Sequence, residues 1–273
     1  MAKVLCSTGA LIGRPNGRDI TLLTKYSLLL DCDGFEFMMY DTWYDRADEI
    51  TQYLIGTGLC FPVMHCEKHI GGAISLGGDD MQRAFGLFET NCRIARGIGA
   101  QKLVLHLWDG ITSDSNFPCN LSAYKQLREI SDSYGIDLLI ENVVCNMGDP
   151  MTHWCEIARS YPDAHFVFDT KMAAFHEQDS LIFDKEFEWL WKEGHIKHLH
   201  INDYGGGYMQ WDKLKTLPLG QGHIDFDKFF AHIKMLGYDD TFTVEATAFD
   251  QSGNVDTDML CRCFDTVRGY TNR

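Results

Sequence analysis

A chain of 273 residues with 45% hydrophobic, 23% charged and 12% aromatic residues can bury one large core, which excludes a disordered or fibrous protein. The 39 acidic residues outnumber the 24 basic ones and leave a formal charge of −15. That balance argues against partners that are nucleic acids or anionic membranes, and favours a small neutral or cationic ligand.

Short apolar runs and longer amphipathic stretches then alternate along the chain. Residues 4–7, 34–39 and 61–66 read as the first three strands. Met81, Ala84, Phe85, Phe88, Cys92, Ala95 and Ile98 recur three or four apart and mark one face of a helix over 80–98, with Gly97 and Gly99 to end it. Runs 102–106 and 137–141 follow as strands four and five. Asp149 as N-cap and Pro150 in the first turn open a helix through Ile157 and Ala158 that stops before Pro162. Strands six and seven are 165–169 and 196–201. Asp225 opens a helix with Phe226, Phe229, Phe230, Ile233 and Leu236 on one side and Gly237 behind it, and 241–245 is the eighth strand. Near-continuous apolar runs suit strands covered on both faces. Eight strand–helix units at this length predict a (β/α)₈ TIM barrel, a single domain over residues 1–273. A doubly wound open sheet is the runner-up, but Gly205-Gly206-Gly207 does not read as a dinucleotide fingerprint and there is no P-loop.

No stretch reaches eighteen apolar residues, and the first seventeen lack a basic segment followed by an apolar one, so neither a membrane span nor a secretory leader is expected. The ten cysteines contain no C-x-x-C pair, so a cysteine-ligated zinc site is not expected. Free thiols point to a reducing, cytoplasmic setting.

A barrel of this kind carries its chemistry at the C-terminal strand ends. The successive ends hold Ser7, Glu36, His65, His106, Glu141, Asp169, His200 and Glu245. A ring of unpaired carboxylates would repel itself and lose hydration, and a divalent cation is the natural neutraliser. Glu141, Asp169, His200 and Glu245 together offer three carboxylates and one imidazole. This oxygen-rich set suits Mn²⁺, Mg²⁺ or Co²⁺ better than a thiolate site would.

The segments Leu139-Ile140-Glu141-Asn142, Val167-Phe168-Asp169-Thr170, His198-Leu199-His200-Ile201-Asn202-Asp203 and Thr243-Val244-Glu245-Ala246, with Pro218-Leu219-Gly220-Gln221-Gly222-His223-Ile224-Asp225 after strand seven, resemble the xylose isomerase-like TIM-barrel superfamily. Its members include sugar phosphate isomerases and epimerases, inosose dehydratases, hydroxypyruvate isomerases and nucleases of the endonuclease IV type. The resemblance implies one divalent ion, Mn²⁺ first with Mg²⁺, Co²⁺ or Zn²⁺ as alternatives, held by Glu141, Asp169, His200 and Glu245. It also implies that Glu141 and Glu245 act as the acid/base pair. The residue chemistry agrees. A cation can polarise a sugar's carbonyl and adjacent hydroxyl and stabilise the enediolate, while one carboxylate removes the α-proton and another returns one.

Two departures stand out. Many relatives carry D-x-x-H after strand six, whereas here Thr170, Lys171 and Met172 follow Asp169, which leaves Lys171 or His176 to stand in. Arginine is absent between Arg159 and Arg262, where several ketose 3-epimerases have one. Glu36, His65, His106, Trp108, Lys171 and His176 are the candidates for substrate binding. Glu36 has buttressing of the barrel as its alternative, and Trp108 has loop packing. Asp203 is expected to orient the imidazole or the substrate. His198 is read as structural, one layer below His200, and His69, His153, His195 and His232 as surface or packing residues.

The leading expectation is a metal-dependent sugar isomerase or epimerase acting through proton transfer. A dehydratase of the inosose type is the alternative, followed by a non-catalytic sugar-binding barrel and an abasic-site endonuclease. The substrate is read as a small unphosphorylated carbohydrate, with a homo-oligomer left open.

Overall fold

The computed structural model describes residues 2–110 and 112–271. In chain order the strands are β1 (Lys3–Ser7), β2 (Phe35–Met38), β3 (Val63–His65), β4 (Lys102–Leu105), β5 (Asp137–Glu141), β6 (His165–Asp169), β7 (Ile196–Ile201) and β8 (Thr241–Val244). The α-helices are α1 (Leu22–Ser27), α2 (Ala47–Thr57), α3 (Ile70–Leu76), α4 (Gly78–Ile98), α5 (Phe117–Ser133), α6 (Pro150–Ser160), α7 (Thr170–Phe175), α8 (Glu188–Lys192), α9 (Phe226–Met235) and α10 (Thr257–Thr271). All eight expected strands form, and they close into a parallel barrel in sequence order with β8 beside β1. The fold is a (β/α)₈ barrel, and its parallel strands point all their C-terminal ends the same way.

Two compact units make up the chain, Met1–Glu36 with Phe168–Arg273 and Phe37–Val167. In the first, β1 pairs with β2 so that Ser7 lies opposite Glu36, and β7 pairs with β8 so that His198 lies opposite Thr241 and His200 opposite Thr243. Helix α9 starts at Asp225, whose carboxylate caps Lys228 N at 3.0 Å, and buries Phe226, Phe229, Phe230 and Ile233. Burying each such side chain contributes roughly 1.5–3 kcal/mol. In the second unit, β5 pairs with β4 and β6, with Glu141 opposite Val167. Helix α4 turns Ala84, Phe85, Phe88, Cys92 and Ala95 inward along the expected stripe. It ends on Gly99 at φ +82°, a left-handed position that glycine takes without steric cost. Gly97 does not end it. That residue lies within the helix, where a Cβ would come 2.7 Å from Thr51 Cγ2, so it serves close packing. Asp149 caps α6 through Thr152 N at 2.9 Å with Pro150 behind it, as the sequence predicts.

All ten cysteines are free thiols. Burial pushes the thiols of Cys6 and Cys66 well above their ordinary range, so they behave as small apolar groups. Among the described residues no helix is long and apolar enough to cross a membrane.

Candidate functional site

Strand alternation carries His198 and His200 to the same face of β7, where both reach one carboxylate. Glu36 Oε2 lies 2.9 Å from His198 Nε2, and both Glu36 oxygens lie 3.1 Å from His200 Nε2. Thr243 Oγ1 also meets His198 Nε2 at 3.0 Å, and Thr241 Oγ1 meets its Nδ1 at 2.6 Å. Glu36, His198 and His200 have no exposed surface. Burial works to raise the Glu36 carboxyl, but the imidazoles of His200 and His198 more than reverse it and hold it well below the usual carboxylate range.

A carboxylate accepts, so His200 donates Nε2–H to Glu36. In the neutral ring, Nδ1 then carries the lone pair. That atom lies 3.9 Å from Asp169 Oδ2, beyond hydrogen-bond reach. Asp169 is held by its position as the N-cap of α7. Its Oδ1 accepts from Met172 N at 2.7 Å, and its Oδ2 accepts from Asn202 Nδ2 at 2.8 Å. Glu245 follows β8, tied through its N–H to Ile201 O at 3.1 Å. Its Oε1 is buried without a hydrogen-bond partner. An imidazole nitrogen and a carboxylate oxygen 3.9 Å apart, and a buried Glu245 oxygen without a hydrogen-bond partner, fit a divalent cation with oxygen and nitrogen ligands.

The second unit builds another cluster around Glu141. His65 Nδ1 donates to Cys66 O at 2.7 Å, and its Nε2 lies 3.2 Å from Glu141 Oε2. His106 Nε2 lies 2.7 Å from the same oxygen, without the alignment of a hydrogen bond. Burial pushes the His106 imidazole down to about 4, against the pull of the Glu141 charge, so the ring is neutral at pH 7. The rings of His65 and His106 meet edge to face at 4.9 Å. These three residues place one ligand atom each within 4.8 Å of one another.

The sequence profile of the xylose isomerase-like TIM barrel matches residues 28–260. The chain belongs to this family. No curated protein matches it in sequence. Among solved structures it is similar to a D-tagatose 3-epimerase-like protein at 17% identity and TM-score 0.76, over 99% of this chain and 97% of that one. A D-allulose 3-epimerase from Methylomonas sp., solved with D-allulose, matches at 14% identity and TM-score 0.69 over 98% and 97%. A 3-keto-D-glucoside 4-epimerase from E. coli matches at 13% and 0.67 over the whole of both chains. At these identities the likeness is one of fold.

Within the family barrel, several expected site residues take other roles. Glu36 has no exposed surface and both its oxygens meet imidazoles, an arrangement that fits the buttress alternative. Trp108 is also fully buried. Its Nε1–H donates to Val143 O at 2.9 Å and its ring packs edge-on against Phe117 and His153, which makes it a loop-packing residue and not a stacking platform. Asp203 does not orient the imidazole. Its carboxylate accepts the backbone N–H groups of Tyr204, Gly220, Gly222 and Ile224 at 2.8–3.1 Å and so shapes the loop after β7. Four backbone donors occupy both oxygens of this carboxylate. Lys171 is nearly buried, with Nζ 3.1 Å from Thr216 Oγ1. His176 closes α7, with its ring against Phe175 and Tyr208.

One positioning residue went unassigned in the sequence. Asn202 bonds Asp169 through Nδ2, and its Oδ1 accepts from Lys171 N at 2.9 Å and Thr170 Oγ1 at 3.1 Å. Its signal was its place two residues after His200, on the same face by strand period.

Proposed function

We propose that this chain is a divalent-metal-dependent sugar isomerase or epimerase, with Glu141, Asp169, His200 and Glu245 as the ligands of one ion, Mn²⁺ before Mg²⁺, Co²⁺ or Zn²⁺. The observation that carries the reading is His200, anchored through Nε2 on Glu36 and turned through Nδ1 towards an Asp169 that is itself clamped by a helix cap and Asn202. Carboxylate–imidazole pairs of this kind fix the tautomer of a metal-ligating histidine. The epimerase neighbours support the choice of reaction.

A cation bound there would polarise the carbonyl and adjacent hydroxyl of a ketose or aldose and favour loss of the α-proton. Glu141 and Glu245 are the proton-transfer groups: one carboxylate takes the proton from carbon and the other returns one. His106, kept neutral by burial, offers a hydrogen bond and not a charge to a sugar oxygen, with His65 beside it. Lys171 supplies the cationic contact that D-x-x-H relatives fill with histidine, and His176 is the second candidate for that place. The net charge of −15 favours an unphosphorylated carbohydrate.

The test is incubation of the Mn²⁺-loaded protein in D₂O with ketoses, aldoses and inososes, followed by NMR of the products. Deuterium at the carbon beside the carbonyl together with an epimer or an aldose–ketose isomer supports the reading. An α,β-dicarbonyl product replaces it with a dehydratase. Absence of exchange into every sugar offered overturns it.

A further inference from the structure

Asp114 starts a 3₁₀ turn (Asp114–Asn116) after β4, Cys145 lies in the loop after β5, and His153 sits near the start of α6. All three are buried, and they bring one ligand atom each within 4.8 Å of one another. The Asp114 carboxylate is fixed by N–H donors from Asn146 at 3.1 Å, Met147 at 2.8 Å and Gly148 at 2.9 Å. Met147 and Gly148 both donate to Oδ2 and Asn146 to Oδ1, so the acceptor position left on this carboxylate is on Oδ1.

His153 is the telling member. It is 6% exposed, yet neither ring nitrogen has a hydrogen-bond partner. Buried polar groups in native proteins are bonded, so such an imidazole calls for an explanation. Its ring is stacked on Phe117 at 3.8 Å and set edge-on to Trp108 at 5.0 Å, which fixes its plane. Burial pushes its pKa down, so the ring is neutral and carries a lone pair. Nε2 lies 3.9 Å from Asp114 Oδ2, too far for a hydrogen bond. A nitrogen and an oxygen ligand on one tetrahedral ion lie roughly 3.3–3.5 Å apart, so a shift of about half an ångström brings the two groups to a shared ion.

We propose that Asp114, Cys145 and His153 form a second, non-catalytic metal site that takes Zn²⁺ or Co²⁺ and ties together the loops after β4 and β5 and the start of α6. A mixed sulfur, nitrogen and oxygen set selects these ions over Mn²⁺ and Mg²⁺. It thereby differs from the oxygen-rich set proposed for catalysis, and it uses none of those residues. On binding, the metal–sulfur bond forms, the Cys145 S–H bond breaks and the proton leaves to solvent. Water completes the coordination from the side of the exposed Asn146–Gly148 stretch. The absence of a C-x-x-C pair therefore does not exclude a thiolate ligand here, because the three residues come from a 3₁₀ turn, a loop and a helix.

The experiment is titration of the metal-stripped full chain with Co²⁺, followed by absorption spectroscopy. A thiolate-to-cobalt charge-transfer band in the near ultraviolet reports this site, since the catalytic ligand set contains no sulfur. The band should persist in Asp169→Asn, and its intensity should fall at least tenfold in Cys145→Ala and in His153→Asn. Zn²⁺ saturation should leave two ions per wild-type chain by mass spectrometry and one in His153→Asn. No band in the wild type, or a band that survives Cys145→Ala unchanged, overturns the proposal. If the variants do not fold, the wild-type chain decides by its band, whose absence is the contradicting result.

Discussion

Glu36 and Glu141 each meet two imidazole Nε2 atoms, but the imidazoles are held differently. Around Glu36 the carboxylate receives donors. His200 and His198 give it Nε2–H groups, and the threonines of β8 hold His198 from behind. Around Glu141 the imidazoles are held less tightly. His65 Nε2 meets the carboxylate at 3.2 Å while its Nδ1 is tied to Cys66 O, and His106, held neutral by burial, lies 2.7 Å away without hydrogen-bond alignment. A carboxylate bonded on both oxygens by aligned donors braces a structure, while one beside a neutral, misaligned imidazole is better placed to meet a proton or a cation. The same residue types therefore give a buttress in one place and a candidate working group in the other.

The largest effect should come from removing basicity at the working carboxylates. Glu141→Gln and Glu245→Gln should each lower turnover by about 10²–10⁴-fold while Mn²⁺ still binds, because the amide oxygen can coordinate. Kinetics at saturating Mn²⁺ with parallel metal titration check this. Equal losses in turnover and metal affinity would make the glutamates ligands and nothing more.

Glu36 should behave differently. Glu36→Ala leaves two buried imidazoles without their shared acceptor and should cost about 3–5 kcal/mol of stability, read from urea unfolding. Glu36→Gln keeps the shape but donates poorly matched protons to His200. It should weaken metal binding by roughly 10–100-fold with kcat at saturating metal little changed. A large kcat loss at full occupancy would move Glu36 from buttress to reacting group.

The His106 environment predicts a pH effect in metal-free protein. Its folded pKa, about 4, lies below the unfolded value of about 6.5. As pH falls through that window the unfolded chain gains a proton that the folded one refuses, so stability drops by about 3 kcal/mol and levels off below the folded value. His106→Asn should flatten that part of the stability profile. The smallest effect is expected at the loop after β7. Asp203→Ala strands four backbone N–H groups and should cost about 1–3 kcal/mol, with metal affinity unaltered because Asp203 touches no proposed ligand.

The barrel was legible because its strands are apolar on both sides and bounded by polar ends, so local pattern sufficed for eight elements in order. The strand-end residues were legible for the same reason. Pairings across the fold were not. Glu36 is 162 residues from His198, and no local period announces that its carboxylate turns to an imidazole and not to a ligand. Asp203 misled because a nearby histidine suggested a partner, while its true partners are backbone N–H groups supplied by the geometry of the glycine loop. Trp108 misled because a strand-end aromatic looks the same in sequence whether it faces the mouth or packs a loop.

The central claim is that Glu141 and Glu245 move the substrate proton beside a divalent cation. The most direct measurement is deuterium exchange in D₂O with a turned-over sugar, comparing wild type with each glutamine variant under full Mn²⁺ occupancy. The account predicts that one variant still washes deuterium into the sugar while net conversion stops, and that the other does neither. Near-wild-type exchange and conversion in both variants would contradict it.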